Sequence, residues 1–213
     1  MYGDNYCTLA DIKAYMHLDP TETNFDTSLT AAINAASREI ENYCARQFNN
    51  DYDVNGVRQP ATTRVFRPSA VRLVLIDDLY TTADLVIQHR TITSTALTTF
   101  NVNTDYELEP FNGVVNGVAG WPYRRMVLPF WRYLWDISRL EITAHWGWAA
   151  VPDAVKQACL AVAAQNYKMG TAPLGVSGTQ LSGGRGLPTV RVHDMPQAAE
   201  MLDPYCADHP MVG

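Results

Sequence analysis

Leu29, Ala32, Ile33, Ala36, Ile40, Tyr43 and Cys44 recur at three- and four-residue steps, while Glu39, Glu41 and Arg46 fall mainly off that row. On a helix this spacing gives one apolar stripe, which another element must cover. The pattern predicts a helix over 27–47 with Asp26 as its cap. A second row of the same kind comes much later, at Val155, Ala158, Cys159, Val162, Ala163 and Tyr167. Pro152 suits the first turn of that helix, where its missing amide proton costs nothing. Asp153 sits where the helix dipole favours negative charge, and Gly170 closes the helix. The two stripes are expected to pack on each other, making one helical body from two distant stretches of chain.

Everything between them is then an insertion, and its period changes. "VRLVLIDDLY" (71–80), "DLVIQH" (84–89), "TITSTALTTFNV" (91–102), "DYELE" (105–109), "RMVLPF" (125–130) and "RLEITAHW" (139–146) are short and mostly rich in β-branched or aromatic residues. Turn-like segments separate them. Leu140, Ile142, Ala144 and Trp146 alternate with Glu141, Thr143 and His145, the pattern of a strand with one solvated or interfacial face. An antiparallel sheet or small barrel is expected over roughly 62–146, with 111–123 as a long hairpin or surface excursion and 49–59 as a loop. Ahead of the long helix, Thr8 caps a short one carrying Leu9, Ile12 and Met16, with Asp11 in the capping-box position. "HLDP" (17–20) ends it. After Gly170 the chain is glycine-rich to about 194; Thr189 to Val192 can act as a strand, and a short helix runs from Asp194 and Pro196 through Leu202 to Pro204.

The predicted class is therefore α+β: a small helical bundle from N-terminal helices and a later long helix, an inserted antiparallel β region, and an extended C-terminal arm. Its parts are 1–60 (N-terminal helical), 61–149 (β), 150–170 (the helix completing the body) and 171–213 (the arm with a short terminal helix).

Composition narrows the chemistry. A hydrophobic fraction of 47% over 213 residues supports a core without metals or disulfides. No stretch approaches a membrane-spanning length, and the start "MYGDNYCTLADIKAY" lacks a secretory signal's basic-then-apolar order, so a soluble, cytoplasmically made protein is expected. Cys7, Cys44, Cys159 and Cys206 form no CxxC pair, and reduced, buried thiols are the expectation for Cys44 and Cys159. The net charge of −6 argues against a protein that holds DNA by bulk electrostatics. It leaves room for DNA passing a channel wall without being gripped.

Individual motifs add little catalysis. "GGRG" (183–186) lacks the lysine and hydroxyl residue of a phosphate loop. The five histidines have no ligand at helical or hairpin spacing; His145 is the best single candidate, with a surface or interface role favoured for it. Asp77-Asp78 is expected in a turn, and Ser177 and Ser182 lack a nucleophile-elbow pattern. No catalytic residue, metal or cofactor is assigned. The most basic and aromatic patch interleaves Arg124, Arg125 and Arg132 with Trp121, Tyr123, Trp131, Tyr133 and Trp135. Such residues serve protein interfaces or stack on nucleic acid, and the acidic balance favours protein contact.

"LTAAINAASREIENYCARQF" (29–48), "TRVFRP" (63–68), "IDDL" (76–79), "DYELEP" (105–110), "GWPYRR" (120–125), "EITAHWGWAAVPDAVKQACLAVAAQNY" (141–167), "APLGVSG" (172–178) and "MLDPYC" (201–206) follow in order along most of the chain. The series resembles the head–tail connector (adaptor, or head-completion) proteins of long-tailed double-stranded DNA bacteriophages. The resemblance implies a structural virion protein in the neck between capsid and tail, made in the host cytoplasm. Such proteins form a ring, commonly of twelve, beneath the portal, and serve genome packaging and ejection. It implies as partners further copies of the chain, the portal protein and a stopper or tail-completion protein. Double-stranded DNA would pass without sequence recognition, and no membrane is involved.

Carried onto this sequence, the docking arm toward the portal would use Leu174, Gly175, Val176, Leu187, Val190, Val192, Leu202 and Tyr205. The Trp121–Trp135 patch would meet neighbouring subunits or the next neck component. Trp146, Trp148 and Pro152 are expected at the joint between β region and helical body. Two features depart from the family pattern: Lys168 is the sole basic residue in "NYKMGTA" (166–172), and "MVLPFWRYLWDIS" (126–138) is unusually aromatic. The alternatives are a stopper or terminator, a small hydrolase-like enzyme using His145 with Asp77 or Asp78, or a nucleic-acid-binding module centred on 124–135.

Overall fold

Two one-sided helices need each other's apolar faces, and a computed structural model shows how the chain meets that need. It describes residues 3–53, 55–68, 72–101, 104–129, 137–171 and 191–206. The chain divides into two compact units, a β unit at Asn49–Ala150 and a helical unit made from Gly3–Phe48 and Val151–Gly213. The architecture is α+β, with the antiparallel sheet inserted between the helices.

In the helical unit, α1 spans Leu9–Tyr15, α2 Asp26–Cys44, α3 Asp153–Thr171 and α4 Pro196–Leu202. Thr8 caps α1 in a reciprocal capping box with Asp11. The stripes of α2 and α3 are both buried, from Leu29 to Cys44 and from Val155 to Ala163. Ser37 Oγ reaches Cys159 Sγ at 3.5 Å, and the Phe25 and Tyr167 rings meet edge-on at 6.3 Å. Each fully buried aliphatic side chain here contributes about 1.5–3 kcal/mol relative to exposure.

The start of α2 differs from expectation. Asp26 is its first helical residue, preceded by Phe25, and gives its carboxylate to the buried Lys13 ammonium at 2.6 Å instead of to a cap. Lys13 also donates to the Glu22 carbonyl at 2.6 Å, so the α1–α2 connection closes around one cation. Ala45, left-handed at φ 50°, ends α2 short of the predicted Gln47.

In the β unit the strands are β1 Thr62–Phe66, β2 Leu73–Thr91, β3 Thr98–Thr99, β4 Glu107–Glu109, β5 Val114–Val115, β6 Val118–Ala119, β7 Tyr123–Val127 and β8 Ile137–Trp146. The main sheet runs β1-β8-β2-β7-β4 with β3 on β2, and β5–β6 form a separate hairpin. All recorded pairings are antiparallel. The segments predicted as two strands, 71–80 and 84–89, are parts of one long strand whose register shifts between Leu79 and Val86. Asp77 and Asp78 consequently lie in a strand and not in a turn. Of the expected strand at 91–102, Thr91 ends β2 and Thr98–Thr99 form the short β3, which pairs with Gln88 and His89 of β2.

Val74, Leu79, Ile87, Met126, Leu128, Leu140, Ile142 and Trp146 form the buried centre of this unit. Gly147 ends β8 at φ +105°, where a Cβ would stand 1.9 Å from the Asn49 carbonyl oxygen. The close approach lets Gly147 N donate to Asp78 O at 2.6 Å and Trp148 N to Asn49 O at 3.1 Å. Among the described residues, no helix is long and apolar enough to cross a membrane.

Candidate functional site

The face of β8 read as solvated or interfacial carries His145, which is 2% exposed. The cause is the 49–59 loop, which brings Asp51 onto that face. Asp51 Oδ2 pairs with His145 Nδ1, and Tyr80 donates to Asp51 Oδ1 at 2.6 Å. Arg58 Nε donates to the Tyr80 hydroxyl at 3.0 Å, its guanidinium 5.5 Å from the Tyr80 ring centre. On the other side, His145 Nε2 lies 3.2 Å from Asp84 Oδ2, offered from the irregular stretch of β2. Burial, with the neighbouring Asp51 carboxylate, holds the Tyr80 phenol well above its ordinary range.

Carboxylate, imidazole and carboxylate in line can move protons in principle. Here both ring nitrogens already face carboxylates, so no imidazole nitrogen is left to meet a substrate. The cluster works as a clamp that fixes the loop on the sheet. Asp77 and Asp78 do not join it: Asp77 pairs with Arg64 at 2.5 Å, and Asp78 accepts from Trp148 Nε1 at 3.1 Å and faces Arg124 at 3.6 Å. Among the described residues, no group of three or more His, Cys, Asp or Glu is placed to hold a metal ion.

The aromatic–basic patch is partly brought together. Trp121, Tyr123 and Arg124 are half-buried and Arg125 is exposed, on or beside β7. Trp121 packs on Trp148 with ring centres 5.2 Å apart, so part of the patch is structural. Trp131, Arg132, Tyr133 and Trp135 lie outside the described residues. Close by in the sequence, Phe111 in the turn ahead of the β5–β6 hairpin and Val118 within the hairpin are exposed, at 60% and 62%. Trp146 lies inside the sheet core beneath Phe66 and donates from Nε1 to Thr62 O at 2.9 Å, while Arg64 covers its ring at 4.7 Å. Pro152 is half-buried just ahead of α3.

The C-terminal residues named for docking divide. Val192 and Leu202 are fully buried in the helical unit itself. Val192 opens a 3-10 turn rather than closing a strand. Leu174, Gly175, Val176, Leu187 and Val190, like "GGRG", Ser177 and Ser182, lie outside the described residues. The segment beyond Arg191 is clasped to the end of α2. Arg46 Nη1 donates to Tyr205 O at 2.7 Å, Tyr43 donates to Asp203 Oδ1 at 2.5 Å, and the His193 ring meets Tyr43 edge-on at 4.9 Å. The hydrogen bond to Asp203 pushes the Tyr43 phenol up to about 12. No sequence spacing joins residues so far apart, so this clasp was not legible beforehand.

No protein-family model matches the chain, and no curated protein does. Among solved structures, the fold is similar to a chain from the neck of an empty GTA particle computed with C6 symmetry. That likeness has a TM-score of 0.53 at 15% identity, over 98% of this chain and 93% of the other.

Proposed function

We propose that the protein is a head–tail adaptor, a structural subunit that forms a ring below the portal of a long-tailed phage or phage-like particle and joins the head to the tail. The observation that carries this is the fold likeness to a neck chain, which spans nearly the whole of both chains and not one shared module. The ordered sequence resemblance to connector proteins supports the same role from separate grounds. A net charge of −6 suits a channel wall that lets DNA slide without retention. Twelve copies are the number proposed, with the portal on one side and a stopper or tail-completion protein on the other.

In this reading the exposed Phe111 and Val118, together with Arg125 and the 130–135 stretch, meet neighbouring subunits or the next neck component. Aromatic and arginine side chains are the residues that carry such contacts. A ring requires heterologous contacts that close by rotation, so the two flanks of the subunit must differ. The clasped segment 191–206 anchors the arm to its own subunit, leaving 174–190 to reach the portal.

A reconstruction of the intact portal–neck region tests the proposal. A closed ring of this chain next to the portal is expected, with 174–190 against portal density. Finding the chain at the tail tip, or outside the particle, would overturn it. Deleting 174–190 should abolish portal binding in a pull-down while leaving the tryptophan emission of the β unit unchanged.

A further inference from the structure

The four cysteines are scattered along the sequence, yet in the helical unit they meet in two pairs. Cys206 Sγ lies 3.2 Å from Cys44 Sγ, and Cys7 Sγ lies 3.3 Å from Cys159 Sγ. A disulfide bond is about 2.05 Å long, so each pair needs roughly 1.2 Å of approach. Access separates the pairs. Cys7, Cys159 and Cys44 are buried, and Cys206 is half-exposed at the end of the clasp.

We propose that Cys44 and Cys206 are a disulfide-forming site: on meeting a small-molecule disulfide the pair closes and locks residues 191–206 covalently to the C-terminal end of α2, while Cys7 and Cys159 stay thiols as long as the unit is folded. The order of events follows from exposure. The Cys206 thiol loses its proton and attacks one sulfur of the oxidant RSSR, forming Cys206–S–SR and releasing one RSH. The Cys44 thiol then loses its proton and attacks Cys206 Sγ, forming the Cys44–Cys206 bond and releasing the second RSH. Two electrons pass from the protein to the oxidant, and the protein loses two hydrogens.

The clasp supplies the proximity. Tyr43–Asp203 and Arg46–Tyr205 hold the two sulfur-bearing segments together, so the second step is intramolecular and fast relative to a second attack by solute. Burial holds both thiols above their ordinary range, which makes the first attack slow at neutral pH and calls for a long incubation. The buried Cys7–Cys159 pair has no such entry for the oxidant, although its sulfurs are equally close.

The full-length protein, fully reduced, is incubated with oxidised glutathione at about pH 8, blocked with iodoacetamide while native, and digested with trypsin. Cleavage after Arg38, Arg46 and Arg191 puts Cys44 in the 39–46 peptide and Cys206 in the 192–213 peptide. The expected product is those two peptides linked, with Cys7 and Cys159 alkylated only after denaturant is added. Its formation should raise the thermal midpoint reported by native thiol protection by about 5–10 °C. Cys206→Ser should give no link, and Cys44→Ser should stop at glutathione held on Cys206. Glutathione resting on Cys206 in the unsubstituted protein, a Cys44 thiol untouched after prolonged exposure, or a link from Cys44 to any other cysteine would each overturn the proposal.

Discussion

The β unit and the helical unit are closed by different chemistry. All five tryptophans fall between 121 and 148, in the β unit's span, and all four cysteines fall in the helical unit. In the β unit the 49–59 loop is fixed on the sheet by directional polar groups: a histidine between two carboxylates, and a tyrosine bridging carboxylate and guanidinium. The helical unit is closed by apolar stripes and by sulfur pairs that join residues from opposite ends of the chain. A loop lying on a pleated face must be held at one register, which hydrogen bonds specify. Two helical stripes need only matched volume, which soft sulfur and aliphatic groups supply. Tryptophan emission therefore reads one unit and thiol reactivity the other.

The sharpest way to break the comparison is at the point where the β unit has no slack. Gly147→Ala adds a Cβ at 1.9 Å from the Asn49 carbonyl in a backbone conformation of φ +105°. The obstacle is backbone, not a movable side chain, so the cost should exceed about 4 kcal/mol. Urea unfolding followed by tryptophan emission should show the β unit lost, while native thiol protection of Cys7 and Cys159 persists. Loss of both together would mean that neither unit stands without the other.

Matched core truncations come next. Ile142→Ala in the sheet and Ile40→Ala in α2 remove fully buried side chains and should each cost about 2–5 kcal/mol. Ile142→Ala is expected to move the emission midpoint, and Ile40→Ala the alkylation rate of the buried cysteines. A single shared midpoint for both variants would replace two units with one cooperative transition.

Within the β unit's polar clamp, the two carboxylates are unequal. Asp51 is 11% exposed and serves both His145 and Tyr80, whereas Asp84 is 75% exposed. Asp51→Ala strands the buried His145 and the half-buried Tyr80 and should cost about 1–3 kcal/mol. Asp84→Ala removes a contact whose carboxylate is mostly in water and should cost less than about 1 kcal/mol. Equal losses would show that the line acts as a unit rather than as one buried and one surface contact.

What the sequence revealed divides along the same boundary. The stripes of α2 and α3, the Thr8 capping box and the insertion of a β region were legible because each depends on local spacing. The burial of His145 is not legible, because alternation along β8 describes one strand and says nothing of a distant loop lying over its outer face. Residue type makes Asp26 a cap, but Lys13 takes its carboxylate. The division of 71–89 into two strands followed from polar residues in the middle, which the register shift of β2 accommodates within one strand. The cysteine pairs and the clasp at Tyr43, Arg46 and Asp203 depend wholly on long-range closure and left no local trace.

That clasp gives the smallest and most specific prediction. Tyr43 donates to Asp203 on a partly exposed surface, so Tyr43→Phe should cost only about 0.5–1 kcal/mol near neutral pH. The sign of its pH dependence is fixed by the raised phenol. Unfolded, the group titrates near 10.0; folded, it is pushed up to about 12, because a phenolate would face the Asp203 carboxylate and lose its donated hydrogen bond. Between those values the unfolded chain gives up its proton first, so deprotonation favours unfolding. The contribution is complete below 10.0 and lost as pH rises through about 12. The difference in stability between the parent and Tyr43→Phe, read from urea unfolding followed by far-UV circular dichroism at rising pH, should therefore be constant up to about pH 10 and shrink above it. The phenolate absorbance difference between the two proteins should show one tyrosine titrating late. A tyrosine titrating at its ordinary value there would mean that Asp203 does not hold it, and the clasp would rest on Arg46 and the sulfur pair alone.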